Sequence, residues 1–502
     1  MFKQADVGTG TGQASGCRHK PRTIVTADPE LDDLNSMIRL LLYSNEIQIE
    51  GLIYASSRFH WKGDGKGTVF FLPSREYDEP RESFRWAPGE RFIDDALDAY
   101  AQVYSNLLVH DPEYPAPEHL RSLVCHGNVA FEGDMAEPTP GSRLIEAALL
   151  EENPEPVHLQ AWAGTSTIAR ALKSIEERFS GWADWEQRKA AVCQRTILTK
   201  FASQDATFEE YISSSWPDIP VIDVAASAWG YFARRVILPA DAPMLTADWL
   251  QSNVRAMGPL GALYRVWGDG RQMVEGDYTD FFHLCGYSAE DLRTRGYRVW
   301  TDPQPAGEWI SEGDTPNMLN LFANGLRGFE HPSFGGWGGR SVPASDGQWL
   351  VRSAVDRARD GDAPEEYALT RWFGDAQRDF AARLAWSVRS TYQSANHPPV
   401  VSVAPAEDLT VHPGSTVTLT ASAADPDGDS LTYAWWHYRE AGTYSGELEF
   451  DEVHEPVLTA RVPWGAVAGD TIHLILEVRD DGEPPLVSYA RVILTLGTAV
   501  AR

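Results

Sequence analysis

The chain changes character once, at 394–399, which reads Ser-Ala-Asn-His-Pro-Pro. A helical pattern over 375–392 stops there, because adjacent prolines cannot continue a helix and favour extended backbone. The residues that follow form short β-type runs between Pro, Gly and Asp turns, and 472–478 places an apolar residue at every second position. About 100 residues with this spacing are typical of an immunoglobulin-like β-sandwich. The sequence therefore predicts a separate all-β domain over 395–502.

Before that point, β-type and helical patterns alternate. Strands are predicted over 23–26, 47–54, 157–162, 190–198 and 221–224, and an apolar helix over 34–43. This alternation indicates an α/β domain over 22–394, a mostly parallel sheet flanked by helices, with 60–95 as an inserted loop. In such sheets, ligands bind at the carboxyl ends of the strands. Residues 1–21 are rich in Gly and Thr, show no apolar signal-peptide core and are predicted to be a flexible segment.

The charge balance disfavours two classes of partner. The 502 residues carry a formal net charge of −29, whereas proteins that bind duplex nucleic acid or anionic membranes present a basic face. No apolar run approaches the roughly 18 residues of a membrane-spanning helix. The glycine patterns of phosphate loops, dinucleotide-binding folds and serine-hydrolase elbows are also absent from the sequence. We therefore expect neither a nucleic-acid duplex nor a membrane span.

The most informative motif is the acidic turn after the first predicted strand, Asp28-Pro29-Glu30-Leu31-Asp32-Asp33. Carboxylates this close repel one another, so such a cluster needs a cation or surrounding hydrogen-bond donors. Oxygen-only ligands suit Ca²⁺, which takes about six to eight of them. Acidic residues are also favoured in the first turn of a helix, where they oppose the helix dipole. The residue types alone support both interpretations.

This turn resembles the signature of the nucleoside hydrolase superfamily, a strand followed by Asp-x-Asp-Pro-Gly-x-Asp-Asp. Segments 51–57, 159–169 and 312–316 are similar to later strand and loop segments of that superfamily. Segments 258–264 and 330–340, the second containing Trp-Gly-Gly-Arg, resemble hallmarks of a bacterial, mostly exported branch. That branch carries a C-terminal β-sandwich and is associated with cellulose binding. The resemblance implies a nucleoside-hydrolase-like fold and a secreted or periplasmic location.

The resemblance also implies roles for individual residues. Asp28 would ligate Ca²⁺ and activate the attacking water, while Asp33, Asp314 and the backbone carbonyl of Trp162 would complete the protein ligands. Asp32 would accept hydrogen bonds from a sugar diol. The chemistry is coherent, because a metal-held water loses its proton more readily and nearby carboxylates stabilise oxocarbenium charge.

Four departures from the superfamily pattern bear on activity. Thr26 stands where an Asp is usual, and Glu30 stands where a Gly is usual. Gly313 stands where a His is usual, so the leaving-group acid is missing there. The Asn and Glu residues that hold the sugar hydroxyls have no clear match, and the polar set 203–205, with Asp205, is the candidate replacement.

Five further residues are candidates for the site. His60 and His331 are candidate general acids, and a surface loop histidine is the alternative for each. Ser57, in the loop after the second strand, is placed with the substrate-binding residues. Trp337 is a candidate to stack on a sugar while Arg340 pairs with a carboxylate or hydroxyls, and the alternative is a tight turn around a structural tryptophan.

Two functions follow as hypotheses. The first is Ca²⁺-dependent hydrolysis of an N- or O-glycosidic bond in a nucleoside or carbohydrate, which the retained carboxylates favour. The second is non-catalytic binding of cellulose or another plant polysaccharide, through the same pocket or through exposed aromatic residues. The missing His and the missing hydroxyl-binding set favour the second.

Overall fold

A computed structural model describes residues 20–358, 364–405, 408–451 and 453–498. The predicted flexible segment 1–21 lies outside the described residues except for Lys20 and Pro21. Within these residues the first domain contains an eight-stranded sheet. Its strands are β1 (Arg22–Ala27), β2 (Gln48–Tyr54), β3 (Val124–His126), β4 (Val157–Ala161), β5 (Thr196–Lys200), β6 (Val221–Asp223), β7 (Val342–Pro343) and β8 (Trp349–Leu350).

Helices surround this sheet. In chain order they are α1 (Leu31–Leu42), α2 (Phe92–His110), α3 (Pro117–Ser122), α4 (Pro140–Leu150), α5 (Ser166–Phe179), α6 (Trp185–Arg195), α7 (Ser213–Ser215), α8 (Ala247–Leu250), α9 (Gly258–Leu263), α10 (Ala289–Thr294), α11 (Pro316–Leu319), α12 (Tyr367–Thr370) and α13 (Phe373–Val388). Helix α1 is buried along its whole length, since α2, α9 and α13 pack against it. Across the described part of the chain, no helix is both long and apolar enough to cross a membrane.

The strand order places a switch point beside β1. The sheet runs β3-β2-β1-β4-β5-β6-β8-β7, and neighbouring strands are parallel except for β7 and β8. Strand β1 therefore has β2 on one side and the later strand β4 on the other. The chain leaves β1 at Ala27 and β4 at Ala161, on the same edge of the sheet. This is the edge where open α/β sheets bind ligands.

Two sequence predictions in this domain need correction. The predicted strand 190–198 is helical up to Arg195, and β5 begins only at Thr196. Two consecutive alanines in that stretch favour a helix, which outweighs the short apolar run. The predicted loop 60–95 ends earlier, because α2 already begins at Phe92.

The remaining insertion folds over a small core of its own. Isolated backbone bridges join Trp61 to Phe84 and Phe70 to Arg81. Trp61 is buried at the centre of a separate aromatic cluster. This packing fixes the position of His60, the residue directly before the first bridge.

The second domain is a sandwich of two four-stranded sheets. Its strands are β9 (Val400–Ala404), β10 (Asp408–Val411), β11 (Thr416–Ala424), β12 (Thr432–His437), β13 (Glu449–Asp451), β14 (Val457–Arg461), β15 (Thr471–Arg479) and β16 (Val487–Leu496). One sheet has the order β10-β16-β15-β12 and the other β13-β14-β11-β9. Strands β10 and β16 pair in parallel and the other pairs are antiparallel. The predicted fold class, an α/β domain followed by an all-β sandwich, is confirmed.

The two domains share one hydrophobic core. Trp337 and Trp372 of the first domain lie in the same buried cluster as Trp436, Tyr438 and Tyr489 of the sandwich. The rings of Trp372 and Tyr489 meet edge to face with their centroids 5.6 Å apart. The sandwich is therefore packed against the α/β domain by large aromatic side chains.

Arg491 on β16 fastens the sandwich to a loop of the first domain. It is 1% exposed. Its guanidinium donates hydrogen bonds to the carbonyl oxygens of Leu326, Phe334 and Gly335, at 2.6, 2.8 and 2.9 Å. A buried guanidinium is tolerated only when its donors are satisfied, so these bonds hold the loop in one position relative to the sandwich.

Candidate functional site

The acidic turn lies directly after β1, at the carboxyl edge of the sheet. Asp28 follows the last strand residue, and Asp32 and Asp33 occupy the first turn of α1. The Asp33 carboxylate accepts the backbone N–H of Asp28 at 3.1 Å. All three side chains are buried. Asp32 and Asp33 therefore oppose the dipole of α1 and are also buried. The helix-start interpretation and the cation-site interpretation of this turn do not exclude each other.

The loop 311–314, from much later in the chain, packs against the acidic turn. Glu312 forms a fully buried, two-pronged ion pair with Arg39 of α1, at 2.6 and 2.9 Å. Glu312 also accepts a hydrogen bond from the Tyr264 hydroxyl at 2.6 Å. The ion pair between Glu312 and Arg39 fixes the loop that carries Asp314. In this position burial and the negative charges of the acidic turn raise the pKa of Asp314.

Gly313 explains why this loop carries no histidine. A Cβ atom at that position would lie 2.6 Å from Oδ2 of Asp32. That oxygen is held by the Ser311 hydroxyl, which donates to it at 2.9 Å. A larger side chain would displace Asp32, so the leaving-group acid of the superfamily pattern has no room here.

Several ligand-type atoms in this cluster have no partner. Among the described residues, both carboxylate oxygens of Asp28, Oδ1 of Asp314 and Nδ1 of His60 are buried without a hydrogen bond. Asp28 is 0% exposed. Buried polar atoms are costly unless something satisfies them, and these are all atoms that ligate metals. The residues present therefore fit a cation held between the acidic turn and the loop of Asp314.

The pKa values of four carboxyl groups in the cluster are raised, which also points to a cation at this site. Burial, aided by the charge of Asp32, raises the pKa of Glu30 to about 8. Burial raises the pKa of Asp32 to about 6, although the hydrogen bond from Ser311 opposes it. Burial and neighbouring carboxylates raise the pKa of Asp33 and of Asp314 well above the ordinary range. Deprotonated, these groups need a positive charge among them.

The backbone carbonyl of Trp162 lies just beyond β4. The backbone N–H of Trp162 donates a hydrogen bond to the carbonyl of Thr26 at 2.9 Å, and this bond connects the loop after β4 to the end of β1. The Trp162 carbonyl accepts a hydrogen bond from the Gln204 side-chain amide. A carbonyl oxygen has two lone pairs, so one remains for a cation.

A cavity of about 580 Å³ opens at the acidic turn. Carboxylates from both acidic loops line it, together with a wall of aromatic rings. Tyr231 stacks on Phe282 with ring centroids 5.2 Å apart, and Trp300 meets Tyr231 edge-on at 4.7 Å. The Tyr231 hydroxyl joins the wall to the carboxylates, since it donates to Glu30 at 2.9 Å. Cavities of about 300–1,000 Å³ hold small-molecule ligands.

Ser57 and Asp205, predicted to bind substrate, do not line this cavity, and their side chains accept hydrogen bonds from neighbouring backbone. The Ser57 hydroxyl oxygen accepts the backbone N–H groups of Phe59 and His60, at 3.0 and 3.3 Å. Asp205 accepts the backbone N–H of Ser166 at 2.9 Å, along with other donors nearby. Both side chains are used to shape loops around the site.

His331, Trp337 and Arg340 also lie away from the cavity, which corrects the roles predicted for them. Trp337 is 2% exposed, and its indole N–H is directed to the Tyr489 hydroxyl of the sandwich at 3.4 Å. Arg340 pairs with buried Asp356 at 2.7 Å. His331 forms a hydrogen bond with a neighbouring serine at 2.7 Å. The Trp-Gly-Gly-Arg segment is therefore part of the domain interface.

The structure brings the other predicted residues together. Asp28, Asp32, Asp33 and Asp314 lie near enough for their charges to act on one another, and the Nδ1 atom of His60 lies 3.6 Å from Oδ1 of Asp28. No sequence signal indicates a role for the aromatic wall of the cavity, because Tyr231, Phe282 and Trp300 lie in irregular segments without periodicity. Glu30 is visible in the sequence only as a departure from the superfamily pattern.

Comparison with known proteins identifies both domains. Residues 22–341 match a family described as "Cellulose-binding Sde182, nucleoside hydrolase-like domain". Residues 416–496 match "Cellulose-binding protein Sde0182, C-terminal domain". No curated protein matches the chain.

One solved structure is similar over nearly the whole chain. A nucleoside hydrolase-related hypothetical protein from Saccharophagus degradans, described as associated with carbohydrate metabolism, is similar at 25% identity and a TM-score of 0.69. The alignment covers 95% of this chain and 100% of that one. A human PKD domain aligns at 18% identity with 21% of this chain and 86% of its own, at a TM-score of 0.17. The first family match spans most of the chain, so the chain belongs to the Sde182 family of cellulose-binding proteins with a nucleoside hydrolase-like domain.

Proposed function

We propose that the cavity hydrolyses a glycosidic bond of a small saccharide or nucleoside and that this reaction depends on Ca²⁺. The observation that carries the proposal is Asp28, fully buried at the turn with both carboxylate oxygens unpartnered among the described residues. Such a carboxylate has no evident role in stabilising the fold, since a buried charge without partners is destabilising. The residues that follow it, Pro29 and Glu30, line the cavity, so the Asp28 carboxylate is placed to meet a cation and a water molecule there.

The candidate cation ligands are Asp28, Asp33, Asp314 and the carbonyl of Trp162. All four supply oxygen, which favours Ca²⁺ over transition metals. Held by these four groups, Ca²⁺ would supply Lewis acidity, which would make water easier to deprotonate.

The remaining chemistry belongs to the side chains. Asp28 accepts a proton from the attacking water through its free oxygen atoms. Asp32, held by Ser311, lines the cavity and accepts hydrogen bonds from sugar hydroxyls. The assembled carboxylates stabilise positive charge that develops on the sugar ring as the bond breaks. Tyr231 and Trp300 offer ring surfaces to the apolar face of the sugar.

Sugar release tests this proposal directly. A panel of nucleosides, aryl glycosides and plant oligosaccharides is incubated with the protein, with and without a chelator. We expect release that the chelator abolishes and Ca²⁺ restores, and Asp28→Asn should lower kcat at least about 100-fold, within the range attributed to general base catalysis. Asp218→Asn, at an exposed acidic residue, is the matched control and should keep full activity. Activity that survives in Asp28→Asn would refute the role given to Asp28.

A second candidate function is non-catalytic binding of cellulose or another insoluble polysaccharide. The description of the family favours it, and so do two exposed indoles, Trp182 at 54% and Trp464 at 68% exposure. Flat aromatic rings at a surface are suited to stack on sugar rings. Because insoluble polysaccharide lies outside cells, this candidate carries with it the proposal that the chain is secreted or periplasmic.

Sedimentation with microcrystalline cellulose tests the second candidate. Retention that falls in Trp182→Ala or Trp464→Ala would support surface binding. Retention that falls only in Trp300→Ala would instead place the polysaccharide at the cavity. A protein that stays entirely in the supernatant would exclude cellulose as the ligand.

A further inference from the structure

His60 is the most unusual group in the site. Its side chain is 2% exposed, yet its Nδ1 atom has no hydrogen-bond partner among the described residues. Nδ1 lies 3.6 Å from Oδ1 of Asp28 and 3.8 Å from Oε2 of Glu30. Both separations exceed a hydrogen bond, so Nδ1 forms none with these carboxylates.

The position of the imidazole is firmly set by the loop that carries it. The backbone N–H of His60 donates to the Ser57 hydroxyl oxygen at 3.3 Å, and its carbonyl accepts the Ser57 N–H at 2.9 Å. The next residue, Trp61, is bridged in both directions to Phe84, at 2.8 and 2.9 Å. The ring is therefore directed at the acidic turn by the surrounding backbone.

Glu30 is positioned in a similar way. Tyr231 donates to its Oε1 atom at 2.9 Å, which leaves Oε2 to face His60. One ligand atom from each of Asp28, Glu30 and His60 lies within 4.8 Å of the other two. Two ligands that are each about 2.1 Å from one metal ion lie about 3.0–3.4 Å apart at octahedral or tetrahedral angles. The two separations from Nδ1 of His60, 3.6 and 3.8 Å, would need to close by about 0.2–0.8 Å.

We propose that Asp28, Glu30 and His60 form a second cation site, selective for a first-row transition ion of the Zn²⁺ or Mn²⁺ type. An imidazole nitrogen with two carboxylates suits such ions, whereas Ca²⁺ prefers oxygen. Asp28 has two free oxygens, so one would face the Ca²⁺ site proposed above and the other this site. An ion bound here would then take the oxygen that otherwise accepts the proton from water. Carboxylate-linked pairs of ions about 3.5–4 Å apart are common in hydrolases.

The site is independent of whether the protein is a hydrolase. It requires only the three side chains and their geometry. The second cation site depends on Glu30. This residue replaces the glycine of the superfamily pattern and so adds a carboxylate that the pattern lacks.

Metal binding in the presence of saturating Ca²⁺ tests the proposal. The purified full chain is stripped with a chelator, reloaded with Ca²⁺, and titrated with Zn²⁺ by calorimetry, with elemental analysis of the dialysed product. We expect one equivalent of Zn²⁺ beside retained Ca²⁺. Both His60→Ala and Glu30→Gln should weaken Zn²⁺ binding at least 10-fold while leaving Ca²⁺ binding in place.

Co²⁺ supplies a second readout, because its visible absorption reports the ligands directly. The spectrum of the Co²⁺ form should change in His60→Gln, and it should not change in His119→Ala, where the imidazole is exposed on α3. Zn²⁺ binding that is unaltered by both His60 variants would overturn the proposal. So would Zn²⁺ that merely displaces Ca²⁺ from a single shared equivalent, or a protein that takes up no Zn²⁺.

Discussion

Asp28→Asn should make the metal-free protein more stable, because it replaces a carboxylate at the centre of the site with an uncharged amide. The nearest oxygens of Asp28 and Glu30 lie within 4.8 Å. Two like charges at this distance repel by about 3 kcal/mol at an effective dielectric constant of about 20. The Glu30 side chain is 21% exposed, so solvent screening reduces this to about 1–3 kcal/mol.

The effect depends on pH in a predictable direction. Because the pKa of Glu30 is raised to about 8, that carboxyl is largely protonated at pH 7 and ionised at pH 9. The stabilisation by Asp28→Asn in chelator should therefore be larger at pH 9 than at pH 6. With Ca²⁺ at 100 times its Kd, the wild type should gain about 2.7 kcal/mol, and the variant should gain much less.

The assay is thermal or urea unfolding of both proteins in chelator and in Ca²⁺, at pH 6 and pH 9. At pH 9, where Glu30 is ionised, the stability order should invert, with the variant more stable in chelator and the wild type more stable in Ca²⁺. At pH 6 the difference between the two proteins in chelator should be small. Asp205→Asn is the matched control, since Asp205 is hydrogen-bonded by protein donors; it should lose about 1.5–3 kcal/mol in both solutions. If Asp28→Asn behaves like this control, Asp28 is a structural carboxylate and the cation reasoning is wrong.

Three further predictions concern pH, the domain interface and the anchor of the late loop. The folded protein holds protons on Glu30 and Asp32 at higher pH than the unfolded chain does, so stability in chelator should fall as pH rises from about 4 to about 9, and Ca²⁺ should flatten this slope in unfolding measurements. Trp337→Ala should lower the free energy of unfolding by about 3–5 kcal/mol, and where the protein remains folded its retention on cellulose should be unchanged. Glu312→Gln leaves Arg39 as a buried charge with a weakened partner, so it should lower stability by about 3–5 kcal/mol and also weaken Ca²⁺ binding measured by calorimetry.

Much of the fold could be predicted from the sequence because its signals are local. The runs 23–26 and 47–54 are short, apolar and bounded by turns, and they form β1 and β2. The acidic turn is one continuous stretch, so its place after β1 was also predictable. The strand predicted over 190–198 was wrong because an apolar run with two alanines is ambiguous between helix and strand, and the helix propensity of the alanines prevailed.

The failures at the site have a common physical cause. Trp337 and Arg340 look like a ligand loop in isolation, because their partners lie outside the motif: Tyr489 is 152 residues from Trp337, and Asp356 is 16 residues from Arg340. A Cβ atom on Gly335 would lie 2.7 Å from the Tyr438 hydroxyl, so that glycine allows close approach of the sandwich and not of a sugar. Likewise, the meeting of Glu30 and His60 depends on how the insertion folds, which a local pattern does not encode.

The core shared by the two domains has a consequence for how this chain is inherited and engineered. A carbohydrate-binding module on a flexible tether is readily cut off, fused elsewhere or exchanged between enzymes. Here, truncation at 394–399 would strip Trp372 of its aromatic neighbours and leave Arg491 without its carbonyl acceptors. Each separated domain would expose an apolar surface that is buried in the intact chain, and it would tend to aggregate. Recombination is therefore expected to transfer the two halves together, as a single cassette.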